Sequence, residues 1–258
     1  MFRWISIAML MACGDAEQEK KADKPSVEQI KAATQVPTPK NANEGDGGVD
    51  PLTNPSLATS EAPEKFNVML RTTKGDVLLE LHRDWAPNGV DRFYNLVKVG
   101  YFKDVAFFRV IGGFMAQFGM HGDPNINRVW KASTVSDDPV RESNKRGYIT
   151  FAQTRAPNSR STQLFINYKN NKNLDSMRFA PIGKIVEESG KGGGMSVIDQ
   201  LYADYGEGAP SGRGPSQASL GRAGNAYLKA EFPNLDYIVS ARVCGEENVA
   251  DNATDFCP

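Results

Sequence analysis

The sequence predicts a mainly β protein, a closed eight-stranded antiparallel β-barrel capped by two α-helices. Eight short apolar runs have the length and alternation of strands, and turns rich in glycine and proline separate them. Only two segments show the spacing of an amphipathic helix. A closed barrel fits this pattern because it leaves no strand edge unpaired.

The barrel is predicted to begin with a β-hairpin. Residues 66–72 alternate between apolar and polar side chains, Lys74-Gly75-Asp76 supplies the turn, and residues 77–82 form the returning strand. The six further strands are predicted at 105–110, 114–118, 148–152, 163–167, 182–186 and 237–243. No repeat and no second break in composition divides them, so one domain at residues 64–243 accounts for all eight strands.

Two helices are predicted beside the strands. Asp84-Trp85-Ala86-Pro87 opens the first, because proline is favoured in a first helical turn, and Gly100 ends it. Apolar residues recur at helical spacing between these two points. The second helix is predicted at residues 195–202, where one face would carry Met195, Ile198, Leu201 and Tyr202.

Charge and histidine content disfavour several classes of function. The 258 residues include 30 basic and 31 acidic side chains, a formal charge of −1, so no net positive field would attract nucleic acid. The two histidines, His82 and His121, leave little room for a histidine-rich metal site or a histidine general base. His82 is interpreted as structural and His121, within a turn, as solvent-facing. No metal and no cofactor is expected.

The N-terminus has the features of a bacterial export signal. Residues 5–12 form an apolar run that is too short to span a bilayer. Leu10-Met11-Ala12-Cys13 resembles a lipobox, in which a small residue precedes the cut and the Cys13 thiol accepts diacylglycerol. Residues 1–12 are therefore predicted to be a lipoprotein signal peptide. The alternatives are an ordinary signal peptide or a start codon placed too far upstream.

The expected location is the bacterial cell envelope. A lipid on Cys13 would anchor the protein, and Gly14 favours the outer membrane, on its periplasmic or surface side. Residues 13–63 are predicted to be a disordered linker, because they are acidic, rich in proline and without aromatic side chains. Residues 244–258 would form a polar C-terminal tail.

Two cysteines near the C-terminus are a possible disulfide. Cys244 and Cys257 are the only cysteines besides Cys13. Disulfides persist in exported proteins, and two remaining cysteines most simply pair with each other. Two free thiols, or thiols paired with other chains, are the alternative.

Three motifs within the domain indicate its chemistry. The first is FFRVIGGFMAQ at residues 107–117, the second is AQTRAPN at 152–158 followed by STQLFI at 161–166, and the third is NLD at 173–175 followed by FAPIG at 179–183. In order and spacing they resemble the motifs of the cyclophilins, the barrel-type peptidyl-prolyl cis–trans isomerases. The opening hairpin and helix match this family as well.

The resemblance implies an isomerase that rotates X–Pro bonds without a nucleophile, metal or proton shuttle. It implies Arg109 as the catalytic donor to the prolyl nitrogen, and Gln117 as the residue that orients Arg109 and binds a substrate carbonyl. Substrate binding would involve Phe114, Met115, Ala152, Gln153, Phe165, Leu174 and Phe179. Taken alone, Arg109 could instead be a rim residue whose stem covers apolar surface. Phe114 and Met115 would face opposite sides of a strand, so one of them is expected in the core.

The sequence departs from the best-known cyclophilins at two pocket positions. Asn173 stands where they have a tryptophan, and Phe179 lies near the place of their histidine. Phe179 still provides an apolar wall, so turnover is expected. Loss of the tryptophan predicts weak binding of cyclosporin-like macrocycles. Residues 206–215 form a longer loop than the family needs, and the sequence assigns it no purpose.

The expected partners are proline-containing polypeptide clients and the membrane, reached through the lipid anchor. No nucleic acid is expected, and the protein is expected to be a monomer. One competing hypothesis is a module that binds proline-containing segments without turnover. Another is a structural surface lipoprotein built on the same barrel. A hydrolase is disfavoured, because neither histidine lies within a nucleophile motif.

Overall fold

Nine strands form one antiparallel sheet in the computed structural model, which describes residues 49–187, 194–246 and Cys257. In chain order the strands are β1 (Lys65–Thr72), β2 (Gly75–His82), β3 (Val105–Ala106), β4 (Arg109–Ile111), β5 (Met115–Phe118), β6 (Tyr148–Phe151), β7 (Leu164–Asn167), β8 (Pro181–Ile185) and β9 (Tyr237–Val243). Their order across the sheet is β3-β9-β1-β2-β8-β6-β7-β5-β4, and all neighbours are antiparallel. The prediction of a mainly β, antiparallel fold is confirmed.

The predicted strand at 105–110 is divided in two, which raises the strand count from eight to nine. β3 pairs with β9 and β4 pairs with β5, at opposite ends of the sheet, and only Phe107 and Phe108 separate them. The Phe107 ring lies in the main core, whereas Phe108 packs in a second apolar cluster with Leu220 and Leu228. The sheet is thus curled, and the strands at its two ends, β3 and β4, are joined by only two residues.

The curled sheet corrects the predicted closed barrel. Among the residues described, no hydrogen-bonded ladder joins β3 to β4, although the two strands are nearly continuous in sequence. Two adjacent phenylalanines that are buried in different clusters interrupt the pairing at this point. The fold is therefore a curled nine-stranded sheet rather than a closed eight-stranded barrel.

The first hairpin supplies a large part of the core. Val68 and Leu70 of β1 are the register partners of Leu79 and Val77 of β2, and all four side chains are fully buried. Register partners in a sheet place their side chains on the same face. Each such burial stabilises the fold by about 1.5–3 kcal/mol. This hairpin therefore anchors the sheet from which the other strands extend.

Four α-helices lie within the described residues, instead of the predicted two: α1 (Pro87–Lys98), α2 (Pro124–Ala132), α3 (Met195–Ile198) and α4 (Gln217–Glu231). α1 lies within its predicted span, whereas the helix predicted at 195–202 is only the short α3. In α4 the backbone of Gly224 is non-helical, with φ of 58°, and a Cβ there would lie 1.9 Å from the Gly122 carbonyl oxygen. This break interrupts the regular apolar spacing that would predict a helix from the sequence.

The part of the chain that packs on the domain begins before the predicted boundary at residue 64. Trp130 Nε1 donates to the Leu52 carbonyl oxygen at 2.7 Å, and the amide nitrogen of the buried Ala62 donates to Asp91 Oδ1 at 3.0 Å. Residues 49–63 of the predicted linker thus lie against the domain, with a 3₁₀ helix at Pro55–Leu57. The predicted signal peptide, Cys13 and the rest of the predicted linker lie outside the described residues.

The C-terminal cysteines are bonded to each other. Cys244 directly follows β9 and forms a disulfide with Cys257, with 5.5 Å between their Cα atoms. The intervening residues 247–256 lie outside the described part of the chain. In the described ranges, no helix combines the length and the apolar character needed to cross a membrane.

Candidate active site

One row of side chains, both polar and apolar, runs across the neighbouring strands β4, β5 and β7. Arg109 of β4 is the register partner of Gln117 of β5, and Gln117 is the register partner of Phe165 of β7. Directly opposed residues share a face of the sheet, whereas the residues next to them in sequence point the other way. Ala116 and Ile166 accordingly lie in the main core. The row is thus fixed by strand register alone.

Phe114 and Met115 both reach the same cavity, which corrects the expectation that one of them belongs to the core. Met115 lies two residues before Gln117 on β5 and shares its face. Phe114 precedes the strand and belongs to a turn, in which its amide nitrogen donates to the Ile111 carbonyl oxygen at 3.0 Å. Strand alternation does not apply across that turn, so neighbouring residues can line one pocket.

The far wall comes from a 3₁₀ helix at Lys172–Met177 and the residues that follow it. Leu174 lies in this helix, Arg178 reverses the chain with φ of 69°, and Phe179 then returns to the pocket. The Phe179 ring meets Phe165 edge to face, with 5.7 Å between the ring centroids. Aromatic rings prefer this arrangement, so the contact holds the two walls at a fixed angle.

A buried polar cluster supports that wall from behind. Asn144 is fully buried, and its Nδ2 atom donates to the Phe179 carbonyl oxygen at 2.8 Å and to Asp175 Oδ1 at 2.9 Å. Its Oδ1 atom accepts from Thr150 Oγ1 at 2.9 Å. Asp175 also accepts from the Ser143 hydroxyl at 2.5 Å. These bonds join β6, the preceding loop and the 3₁₀ helix.

The walls enclose a cavity of about 200 Å³. It is lined by all nine residues that the sequence analysis proposed for catalysis and substrate binding, Arg109, Phe114, Met115, Gln117, Ala152, Gln153, Phe165, Leu174 and Phe179, together with Gln217. Met115, Phe165 and Leu174 form the apolar cluster at its base. The structure therefore brings together every one of these nine residues.

Arg109 makes contacts with three residues around its guanidinium group. Nη1 donates to Gln117 Oε1 at 3.0 Å and lies 3.9 Å from Met115 Sδ, within the cavity. Nε and Nη2 donate to the two carboxylate oxygens of Glu207, both at 2.6 Å. Because Arg109 donates to it, the pKa of the Glu207 carboxyl is lowered. These partners hold the charged end of Arg109 at the cavity.

Three residues at the site were missed by the sequence analysis. Gln117 Nε2 donates to Gln163 Oε1 at 2.8 Å, and Gln163 Nε2 donates to Gln217 Oε1 at 3.3 Å. Gln163 lies inside the second motif, so the motif itself was a signal for it. Gln217 begins the unpredicted helix α4, and Glu207 lies in the loop to which no purpose was assigned. No local pattern marks either of them.

Ala152 and Gln153 follow β6 at the open side of the cavity. The Ala152 amide nitrogen donates to the Gln163 carbonyl oxygen at 2.9 Å, which continues the pairing of β6 with β7. Gln153 Nε2 donates to the Met177 carbonyl oxygen at 3.0 Å. Gln153 Oε1 is buried and has no hydrogen-bond partner among the described residues. It is an acceptor that the protein itself leaves unused.

Comparison with known proteins places this site in a family. The model of the cyclophilin-type peptidyl-prolyl cis–trans isomerases matches residues 67–214, which contain the whole sheet except β9 and the first two residues of β1. A Brucella suis protein named "Probable peptidyl-prolyl cis-trans isomerase" is 34% identical over 157 residues, covering 57% of this chain and 76% of its own. Peptidyl-prolyl cis-trans isomerase B of Escherichia coli is 28% identical over 141 residues, covering 52% of this chain and 82% of its own.

A solved structure supports the same assignment at the level of the fold. The cyclophilin-type isomerase of Cryptosporidium parvum superposes with a TM-score of 0.50 at 19% identity, covering 71% of this chain and 99% of that one. The match to the family model covers more than half of the chain, and its three motifs build one cavity. The chain therefore belongs to the family of cyclophilin-type peptidyl-prolyl cis–trans isomerases.

Proposed function

We propose that this protein accelerates the rotation of X–Pro bonds in exported polypeptides, with Arg109 stabilising the pyramidal prolyl nitrogen above an apolar proline pocket. The observation that carries the proposal is the position of the Arg109 guanidinium group. Its Nη1 atom lies beside Met115 at the cavity, whose base is otherwise apolar. A fixed cation above a hydrophobic pocket is the arrangement that this reaction needs.

The reaction requires little covalent chemistry from the protein. Amide resonance gives the X–Pro bond a rotation barrier of about 18–20 kcal/mol, so uncatalysed exchange takes tens to hundreds of seconds. No bond to the enzyme has to form, and no proton has to leave the substrate. The protein has only to bind the twisted form of the bond more tightly than the planar form.

The cavity suits a single proline ring. Its volume of about 200 Å³ lies below the roughly 300–1,000 Å³ of pockets for drug-sized ligands. Phe165 and Leu174 at its base are almost fully buried, so the site offers apolar contact and little water. A pyrrolidine ring held there would leave the preceding amide free to rotate at the mouth of the pocket.

Arg109 would act when the bond twists. In the planar amide the prolyl nitrogen shares its lone pair with the carbonyl group, whereas in the twisted form the lone pair is localised and accepts a hydrogen bond. A donor aimed at that nitrogen therefore stabilises the transition state selectively. Each 1.4 kcal/mol gained in this way is about a tenfold increase in rate. Arginine suits the role because it remains charged at any physiological pH.

The remaining groups would hold the substrate backbone in an extended pose. Gln117 would bind the carbonyl next to the rotating bond and keep Arg109 in position. Ala152 and Gln153 continue from β6 along the open side of the cavity. Gln153 lines the cavity and would contact the substrate backbone there. Such contacts fix one side of the bond while the other side turns.

We further propose that the protein works at the bacterial envelope as a lipid-anchored monomer. The support is the lipobox-like Leu10-Met11-Ala12-Cys13 and the acidic, proline-containing stretch that follows it. Labelling with a radioactive fatty acid in a bacterial host tests the anchor. The wild-type chain is expected to take up the label, and Cys13→Ser is expected to take up none. Labelling that survives Cys13→Ser would contradict a lipid at this residue.

The activity is tested with the mature chain, residues 13–258, carrying Cys13→Ser so that no lipid is present. The cis–trans exchange rate of an Ala-Pro peptide is measured for this protein and for Arg109→Ala. The variant is expected to lose about tenfold or more in kcat/KM. Arg128→Ala is the matched control, because Arg128 is exposed and its side chain hydrogen-bonds, among the residues described, only to Asn125.

The competing hypothesis predicts a different result in the same assay. A module that only recognises proline-containing segments would bind the peptide without accelerating exchange, and Arg109→Ala would change its affinity but no rate. Asn173 and Phe179, which replace the tryptophan and histidine of the best-known cyclophilins, are the features that favour this alternative.

A further inference from the structure

The loop at 206–215 delivers one carboxylate to the active site. Glu207 lies at its start, and both of its carboxylate oxygens accept from Arg109 at 2.6 Å. These two residues are 98 positions apart in sequence. The pair joins the loop to β4, the strand that carries the proposed catalytic group. The extra length of the loop thus has a structural consequence at the pocket.

The loop holds Glu207 by its own backbone. The Gly214 amide nitrogen donates to the Glu207 carbonyl oxygen at 2.8 Å, and the Gly208 amide nitrogen donates to Glu207 Oε1 at 2.9 Å. Gly212 packs so closely that a Cβ there would lie 2.3 Å from the Glu207 carbonyl oxygen. Glu207 is therefore held at its backbone carbonyl by Gly214 and at its carboxylate by Gly208, in addition to Arg109.

The pairing occupies one edge of the guanidinium group and leaves the other edge for the pocket. Of the five N–H donors of an arginine, Glu207 takes those on Nε and one on Nη2, and Gln117 takes one on Nη1. Within the described part of the chain, the remaining Nη hydrogens have only the weak Met115 sulfur as a partner, at 3.9 Å from Nη1. A two-point pair of this kind fixes the plane of the guanidinium as well as its position.

We propose that Glu207 is a positioning residue, which holds Arg109 in the plane that directs its free Nη hydrogens at the bound prolyl nitrogen. The proposal rests on the proposed function, because it assigns Arg109 the role described above. Without Glu207, the Arg109 side chain would sample several rotamers and would have to be ordered in each catalytic cycle. The 206–215 loop then serves to deliver this one carboxylate.

The exposure of both side chains indicates that the Arg109–Glu207 ion pair affects the orientation of Arg109 more than the stability of the fold. The side chains of Arg109 and Glu207 are 22% and 40% exposed, and ion pairs this accessible to water add little to folding. Because Arg109 donates to Glu207, the pKa of the Glu207 carboxyl is lowered, so Glu207 stays ionised at neutral pH. Replacing Glu207 should therefore leave a folded protein whose Arg109 is less well oriented.

The test compares Glu207→Gln with Asp204→Asn in the lipid-free mature chain. Both changes remove one negative charge from the same region, but Asp204 is exposed and has no side-chain partner among the described residues. Glu207→Gln is expected to lower kcat by about five- to tenfold with KM changed less than twofold, because only transition-state binding is affected. Asp204→Asn should stay within about twofold of the parent protein, and Glu207→Asp should recover part of the loss.

A double variant separates positioning from a general effect. In the Arg109→Ala background, Glu207→Gln is expected to cause no further loss, since the group that it positions is gone. An equal fractional loss in both backgrounds would overturn the proposal. So would a rise in activity for Glu207→Gln, which would show that Glu207 restrains Arg109 instead of aligning it.

A spectroscopic measurement keeps the test independent of turnover. The Arg109 Nε–H resonance, identified by its absence in Arg109→Ala, is expected to exchange slowly in the parent protein and to be lost to fast exchange in Glu207→Gln. If the parent protein is inactive, the proposed function fails, and this resonance alone decides whether Glu207 orders Arg109. If Arg109→Ala is inactive while Glu207→Gln matches Asp204→Asn, the function stands and the positioning role fails.

Discussion

Arg109 and Gln117 face each other as register partners on β4 and β5, and Arg109 Nη1 donates to Gln117 Oε1 at 3.0 Å. Gln117 is itself buried, and its Nε2 atom donates to Gln163 at 2.8 Å. The amide therefore has one orientation that satisfies both neighbours. A side chain held in this way can position a cation without contacting solvent.

Replacing Gln117 by leucine is expected to lower kcat/KM by about tenfold, because Arg109 loses an acceptor that orients it. The loss should be smaller than for Arg109→Ala, since the cation itself remains. Exchange of an Ala-Pro peptide provides the measurement. Gln200→Leu is the control, as Gln200 is exposed and its side chain donates to the Ser196 carbonyl oxygen, away from the cavity residues. Equal rates for both variants would argue against an orienting role.

Asn173→Trp is expected to strengthen inhibition by a cyclosporin-like macrocycle by about tenfold or more. Asn173 is exposed beside the pocket residue Leu174, so an indole there would add apolar surface at the rim. The inhibition constants of parent and variant provide the measurement. Asn234→Trp, at an exposed position outside the cavity, is the control. Tight inhibition of the parent protein would show that the tryptophan is dispensable.

Asn144→Ala is expected to destabilise the protein by about 2–4 kcal/mol, because it removes the side-chain partner of two buried polar groups. The groups are the Thr150 hydroxyl and the Phe179 carbonyl oxygen, whereas Asp175 still accepts from Ser143 and from the amide nitrogen of residue 144. Urea unfolding at pH 7.5 measures the loss. Asn234→Ala, whose side chain is exposed, should leave the midpoint unchanged. A small effect of Asn144→Ala would mean that water replaces its hydrogen bonds.

His121 is expected to make stability depend on pH. Burial lowers the pKa of His121 from its ordinary 6.5, so the folded state binds this proton less readily than the unfolded state. The contribution of His121 to the free energy of unfolding is then complete above about pH 6.5. It is lost as the pH falls from there towards the lowered pKa of the folded state. Urea midpoints between pH 7.5 and pH 5 test this. His121→Asn is expected to reduce the decline, and an unchanged slope would contradict the prediction.

The residues of the pocket could be predicted from the sequence because each motif is a local stretch of chain. The register of the paired strands then brings the motifs together. Arg109, Gln117 and Phe165 meet as soon as β4, β5 and β7 pair in register. The chemistry of each residue type then indicates its role. What the motifs could not show is which neighbours hold these side chains. That information depends on contacts between distant parts of the chain.

The predictions that were wrong also concern contacts between distant parts of the chain. His121 is predicted to face solvent because it lies in a turn, yet it is buried beside Tyr101, with 5.1 Å between the ring centroids. Residues 49–63 have the composition of a linker but are held by Trp130 and Asp91. Glu207 reaches Arg109 from a loop that has no periodicity of its own. Composition and spacing report on local preference, and these placements are decided by packing.

The pairing of β9 with β1 and β3 also sets an order of events in synthesis. β3 pairs only with β9, and β9 covers the outer edge of β1. All the residues that line the cavity leave the ribosome before Tyr237, where β9 begins. Until then the first hairpin has an open edge, which is a template for aggregation. Pairings between such distant parts of a chain also form slowly. A nascent chain of this protein therefore keeps the outer edge of β1 unpaired until β9 is made.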